Sequence, residues 1–144
     1  MTPRVLLQID DSEDELFLFR RSFEKSGLEG WQLQSACGGE EALKYLRAAQ
    51  SEKAAKPDLV LVDLRMPIVN GFAVLEWLRG NMPEIRAAVY SSSELKEDRA
   101  KASALGAIAY LPKSEAVSVT EFVRNWTADG NPAPALEASN IQRP

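Results

Sequence analysis

The segment Leu59–Val62 reads LVLV and runs directly into Asp63, and this feature restricts the fold more than any other. Four consecutive aliphatic residues fit neither an amphipathic helix nor a half-exposed strand. They describe a strand covered on both faces, as the central strands of parallel sheets are. Residues 4–9 (RVLLQI), 31–36, 87–90 and 108–111 supply four further strand-like segments. Between and after them lie helical patterns. Leu16, Phe19 and Phe23 share one face; Ala42, Leu43 and Leu46 lie within 40–49; Val74, Leu75 and Leu78 lie within 71–79. A fourth helix, 95–105, has an alanine-dominated inner face, and a fifth, 117–126, aligns Val119, Phe122, Val123 and Trp126.

The order is strand–helix, five times without a break. It predicts an α/β fold: a doubly wound, five-stranded parallel sheet with helices on both faces and right-handed crossovers. Local signals agree. Ser12 and Glu15 form an S-x-x-E capping box before the first helix, and Gly27 falls at its C-terminal end. Residues 51–56 read as an extension of the second helix and then a loop, closed by Pro57. The expected organisation is one domain over 1–127 and a flexible tail over 128–144, where Pro, Ala, Asn and Gly accumulate.

A chain of 144 residues suits one domain, and its 45% hydrophobic and 26% charged residues are ordinary for a globular protein. The net charge of −4 argues against a nucleic-acid partner and against an anionic membrane surface. No apolar run approaches the ~20 residues of a membrane span, and no signal-peptide core is present. Cys37 is the sole cysteine, so no intramolecular disulfide can form; it reads as a small, semi-buried residue of a cytoplasmic protein. Histidine is absent altogether, which excludes imidazole-based triads, zinc sites and a phosphohistidine on this chain.

The strand ends carry the chemistry. The first ends in Asp10-Asp11, the third in Asp63, the fourth in Ser91, and the fifth runs into Lys113. In a parallel sheet these ends share one edge, and with strand order 2-1-3-4-5 the reversal between strands 1 and 3 brings the three carboxylates together. Crowded carboxylates call for a hard divalent cation, and Mg2+ fits. Ser91 and Lys113 could meet phosphoryl oxygens, so metal, lysine and hydroxyl around a carboxylate nucleophile describe a phosphoryl-transfer site. Each residue alone has a plainer role. Asp10, Asp11 or Ser91 could cap a helix, Asp63 could be a turn residue, and Lys113 a solvated loop charge.

The segments LLQIDDSEDE, PDLVLVDLRMPIVNGFAVLEWLR, AVYSSSE and LGAIAYLPKS resemble the receiver domain of two-component response regulators, a flavodoxin-like, CheY-like fold, over residues 4–126. The resemblance implies that Asp63 is the phosphoacceptor. It implies that Asp10, Asp11, Asp63 and the backbone carbonyl of Arg65 hold Mg2+, that Ser91 and Lys113 contact the phosphoryl group, and that Ser91 and Tyr110 form the switch. Ser92 would leave room for phosphate access. The donor would be a sensor histidine kinase or a histidine phosphotransfer protein. The output would be an unidentified protein bound at the surface of the fourth helix, fifth strand and fifth helix, with a homodimer as an option. The chain would be a stand-alone phosphoacceptor with self-phosphotransfer and slow autodephosphorylation rather than a turnover enzyme.

Two positions depart from the family pattern. Ser114 follows Lys113 where proline is usual, and the family's cis peptide there would cost about 3 kcal/mol without proline. Arg65 is long and charged at a place that governs water access. The long link over 47–56 is similar to that of small regulators paired with bacterial phytochromes; a chemotaxis-type shuttle and a phosphorelay intermediate are alternatives. So is a receiver-fold adaptor that works without phosphorylation. A haloacid-dehalogenase-type phosphatase would need D-x-D where this chain has Asp10-Asp11-Ser12.

Overall fold

The computed structural model describes residues 2–126, so the expected tail over 128–144 lies outside the described residues. Five strands alternate with five helices. They are β1 (Arg4–Asp10), α1 (Glu13–Lys25), β2 (Trp31–Cys37), α2 (Gly39–Gln50), β3 (Leu59–Val62), α3 (Gly71–Asn81), β4 (Arg86–Ser91), α4 (Lys96–Ala104), β5 (Tyr110–Pro112) and α5 (Ala116–Arg124). The sheet is wholly parallel with order β2-β1-β3-β4-β5. The predicted doubly wound architecture is therefore the one observed.

The LVLV run works as its composition implies. Val60 and Val62 face a layer with Ala42 and Leu46 of α2, Val74, Leu75 and Leu78 of α3 and Ala102 of α4. Leu59 and Leu61 face the opposite layer, with Phe19 and Phe23 of α1 and Val119, Phe122 and Val123 of α5. All four β3 residues are buried. Each such side chain contributes roughly 1.5–3 kcal/mol of burial, which anchors β3 firmly between the two layers.

Several boundaries differ from the sequence reading, each for a physical reason. The extension of α2 over 51–56 does not form. Glu52 adopts a left-handed φ of 62°, while Glu52 N–H donates to the Ala49 carbonyl and Lys53 N–H to the Ala48 carbonyl, closing the helix at Gln50. β2 does not simply alternate: it buries Leu33 on one face and Ala36 on the other, because helices cover both sides. β5 begins at Tyr110 rather than 108, and Pro112 is accommodated beside Ser91 because β5 is an edge strand. The α1 capping box is half made. Ser12 Oγ accepts from Glu15 N–H at 3.2 Å, but Ser12 N–H donates to Asp10 Oδ1 at 3.0 Å. The Lys113–Ser114 peptide is trans, as is every peptide bond among the described residues.

The turn from β3 into α3 explains the Asn-Gly pair. Asn70 caps α3 by accepting from Ala73 N–H at 3.0 Å. Gly71 passes so close to the strand end that an added Cβ would meet the Asp63 carbonyl oxygen at 2.2 Å and the Leu64 Cα at 2.8 Å. Gly71→Ala is therefore expected to cost at least about 1–3 kcal/mol through overpacking against backbone that cannot yield. Urea denaturation of the two proteins measures the difference; an unchanged midpoint would contradict the close approach.

Candidate phosphoryl-transfer site

Asp10, Asp11 and Asp63 meet at the C-terminal edge of the sheet, at the β1–β3 reversal. One carboxylate oxygen from each lies within 4.8 Å of the others. Asp10 and Asp63 are buried and Asp11 is exposed at the mouth. β1 and β3 align directly, with Ile9 opposite Val62, and Asp63 N–H donates to the Ile9 carbonyl at 3.0 Å. Strand register alone therefore sets the acidic group.

Lys113, in a 3-10 turn (Lys113–Glu115) after β5, reaches back into this cluster. Its Nζ lies 2.6 Å from Asp10 Oδ2 and 3.4 Å from Asp63 Oδ2. Burial pulls the ammonium's pKa down, but the hydrogen bond to Asp10 and the charge of Asp63 outweigh it and hold it above its ordinary value. Asp63 behaves oppositely. Burial pushes its carboxyl up and Asp10 adds to this, while Lys113 and a hydrogen bond from Ser91 only partly offset them. A buried carboxylate short of positive charge, with oxygen donors beside it, suits a hard cation and a phosphoryl group.

The loop between β3 and α3 forms the rim. Met66 is buried beneath it, and Val69 packs so near α2 that a Cβ on Gly39 would meet its carbonyl oxygen at 2.2 Å. Ile68 projects with a φ of 68° and is 87% exposed, bridged by a hydrogen bond from Val69 N–H to the Pro67 carbonyl at 2.7 Å. Ser92 is exposed beside the buried Ser91.

Of the residues singled out by sequence, the structure brings Asp10, Asp11, Asp63, Ser91 and Lys113 into one group. Tyr110 touches none of the carboxylates; it is fully buried and its hydroxyl donates to the Ser93 carbonyl at 3.0 Å. The Arg65 side chain turns away, and its Nη2 contacts Asp98 Oδ2 of α4 at 2.5 Å. Ser93 and Asp98 escaped the sequence reading. Their signal was available: Asp98 stands one helical turn before buried Ala102, a carboxylate on an inner face.

Comparisons with known proteins bear on the family and the fold. The profile of the response regulator receiver domain matches residues 6–121. The polar-differentiation response regulator DivK of Brucella ovis is 31% identical over 125 residues, covering 85% of this chain and 92% of DivK. Among solved structures, the Mn(2+)-bound form of response regulator Rcp1 superposes with a TM-score of 0.76 at 23% identity, covering 91% of this chain and 99% of that one. The bacteriophytochrome response regulator AtBRR gives 0.68 at 29%, covering 78% and 84%.

The raised pKa of Asp63 has a measurable consequence. The unfolded chain gives up this proton at lower pH than the folded one. Stability therefore falls as pH rises from about 4 toward the folded value, and the loss persists at neutral pH. In divalent-free buffer, Asp63→Asn is expected to raise the urea midpoint at pH 7 and to lose that advantage below about pH 4. A variant no more stable than the parent at pH 7 would contradict the electrostatic reading.

Proposed function

This chain belongs to the response regulator receiver domain family, and we propose that within it Asp63 accepts a phosphoryl group from the phosphohistidine of a sensor kinase or a histidine phosphotransfer protein. The observation that carries the assignment is the buried Asp63 carboxylate, flanked by Asp10 and Asp11 and reached by the Lys113 ammonium. These 144 residues contain no histidine, so the donor imidazole lies outside them.

An Asp63 oxygen attacks phosphorus while the bond from phosphorus to the donor imidazole nitrogen breaks, and its electron pair returns to the ring. Lys113 and Ser91 pair with the phosphoryl oxygens as charge develops on them. Mg2+ fits the carboxylate set of Asp10, Asp11 and Asp63, to which the family resemblance would add the Arg65 backbone carbonyl; when bound it would neutralise carboxylate and phosphoryl charge. Hydrolysis reverses the modification. Water bonds to phosphorus, the link to Asp63 breaks, and inorganic phosphate leaves the free carboxylate behind.

The readout is a change at the α4–β5–α5 surface. A phosphoryl group adds charge and strong acceptors beside Ser91, and Ser91 reaches Tyr110 through Ser93, whose N–H donates to Ser91 Oγ at 3.2 Å. The domain over 1–127 would act by protein contact in the cytoplasm. Among the described residues no helix is long and apolar enough to cross a membrane. The similarity to AtBRR makes a phytochrome-class kinase the first donor to try.

Acetyl phosphate with Mg2+ is expected to add one phosphoryl group by intact mass, and Asp63→Ala to abolish the gain. Loading by Lys113→Ala should fall about tenfold or more, since the removed charge-assisted contact is worth roughly 1.5–3 kcal/mol. No gain, or a gain that survives Asp63→Ala, overturns the assignment. Unchanged partner binding by Asp63→Asn would favour a phosphorylation-independent adaptor instead.

A further inference from the structure

Asp98 has no part in the chemistry above, yet it is 6% exposed on a helix whose one other buried residue is Ala102. α4 therefore gains little from apolar burial, and its first turn has no side-chain cap, because Leu95 stands at the N-cap. Its far end has its own ties. Arg79 Nη1 donates to the Ala104 carbonyl at 3.0 Å, and Lys101 lies 4.5 Å from the Phe72 ring centre. Its near end is held by Asp98 Oδ2, which accepts from Arg65 Nη2 at 2.5 Å and from Ser93 Oγ at 2.5 Å.

These two donors come from the two loops that flank Asp63. Arg65 lies two residues beyond Asp63, and Ser93 two residues beyond Ser91. Ser93 also donates to Ser91 Oγ and accepts from the Tyr110 hydroxyl. One carboxylate oxygen thus joins the phosphoacceptor loop, the hydroxyl that faces Asp63, the buried tyrosine and α4.

We propose that Asp98 is a positioning residue that latches α4 to the site by holding the Arg65 guanidinium, and that a phosphoryl group on Asp63 opens the latch by competing for that guanidinium. The proposal rests on the reading of Asp63 as the phosphoacceptor. The competition is unequal. A phosphoryl group offers up to twice the charge of one carboxylate and several acceptor oxygens, and guanidinium pairs with it through a two-pronged contact. The Arg65 side chain is 59% exposed, so it can swing without disturbing the core. Once it leaves, Asp98 keeps the neutral Ser93 hydroxyl, and the near end of α4 loses its ion pair to the phosphoacceptor loop while Arg99 stays 4.9 Å from the Tyr110 ring centre.

Peptide-resolved hydrogen exchange over 93–104, with and without acetyl phosphate and Mg2+, tests the latch together with the half-life of the phosphorylated protein. In the parent protein, phosphorylation is expected to speed exchange across α4 by roughly fivefold. Asp98→Asn should show the fast rate before phosphorylation, with little further change. It should also lengthen the phosphoryl half-life roughly threefold, because Arg65 no longer has to leave an anionic partner. Asp98→Asn combined with Arg65→Gln should lose that lengthening, which a merely structural role of Asp98 would not predict. Should Asp98→Asn fail to fold, Arg65→Gln alone opens the same latch from an exposed position and should give the fast α4 exchange. Normal loading with α4 exchange unchanged in the Asp98 or Arg65 variant overturns the latch and leaves the phosphoacceptor intact. So does a lengthened half-life that persists without the guanidinium. A parent protein that takes up no phosphoryl group overturns both.

Discussion

The contact between Lys113 and the Asp10–Asp63 pair is the interaction on which the rest of the site depends. Three carboxylates gathered at one sheet edge repel each other, and Asp10 and Asp63 are too buried for water to relieve them. The ammonium binds Asp10 at 2.6 Å and stands farther from Asp63, at 3.4 Å. That asymmetry matters. Asp10 takes the short direct hydrogen bond from the ammonium, whereas Asp63 remains under-compensated, its pKa raised by burial, and it has much to gain from further positive charge. The pairing also ties the end of β5 to β1, across two intervening strands.

Around this cluster the molecule is stiff in one direction and weakly held in another. β3 is clamped between two apolar layers, and Gly71 and Gly39 let the loop that follows it pack against backbone with no side chain between. Asp63 therefore has little freedom to move. α4 is built differently: charged, poor in apolar residues and attached at its start through Asp98. A rigid reaction centre beside an element held by polar contacts is an arrangement in which a local change of charge moves one helix and leaves the core intact.

Much of the fold was legible because two periodicities coexist along the chain and rarely conflict. Leu16, Phe19 and Phe23, and Val74, Leu75 and Leu78, fall on the inner faces their spacing predicts. Legibility failed where tertiary packing overrides local pattern. β2 appeared to alternate, but it lies between helices on both sides and buries Leu33 and Ala36 on opposite faces. The polar stretch after Gln50 had good helix formers, yet the chain takes a left-handed turn at Glu52. Local propensity does not encode that turn, which satisfies the last carbonyls of α2.

The site divides in the same way. That the acidic pair at the end of β1, the aspartate after LVLV, the serine at the end of β4 and the lysine after β5 share one edge was determined by sequence alone, because a parallel sheet must place all strand ends on one edge. What only the tertiary structure decided is where the side chains beyond that edge turn. Arg65 looks in sequence like a charge at the mouth of the site, and Asp98 like one more acidic residue on a polar helix. Folding sets them in contact across 33 positions of chain. Strand ends are ordered by backbone pairing, which composition reveals. A contact between a loop and a helix depends on the shape of everything beneath it, and no local pattern records that.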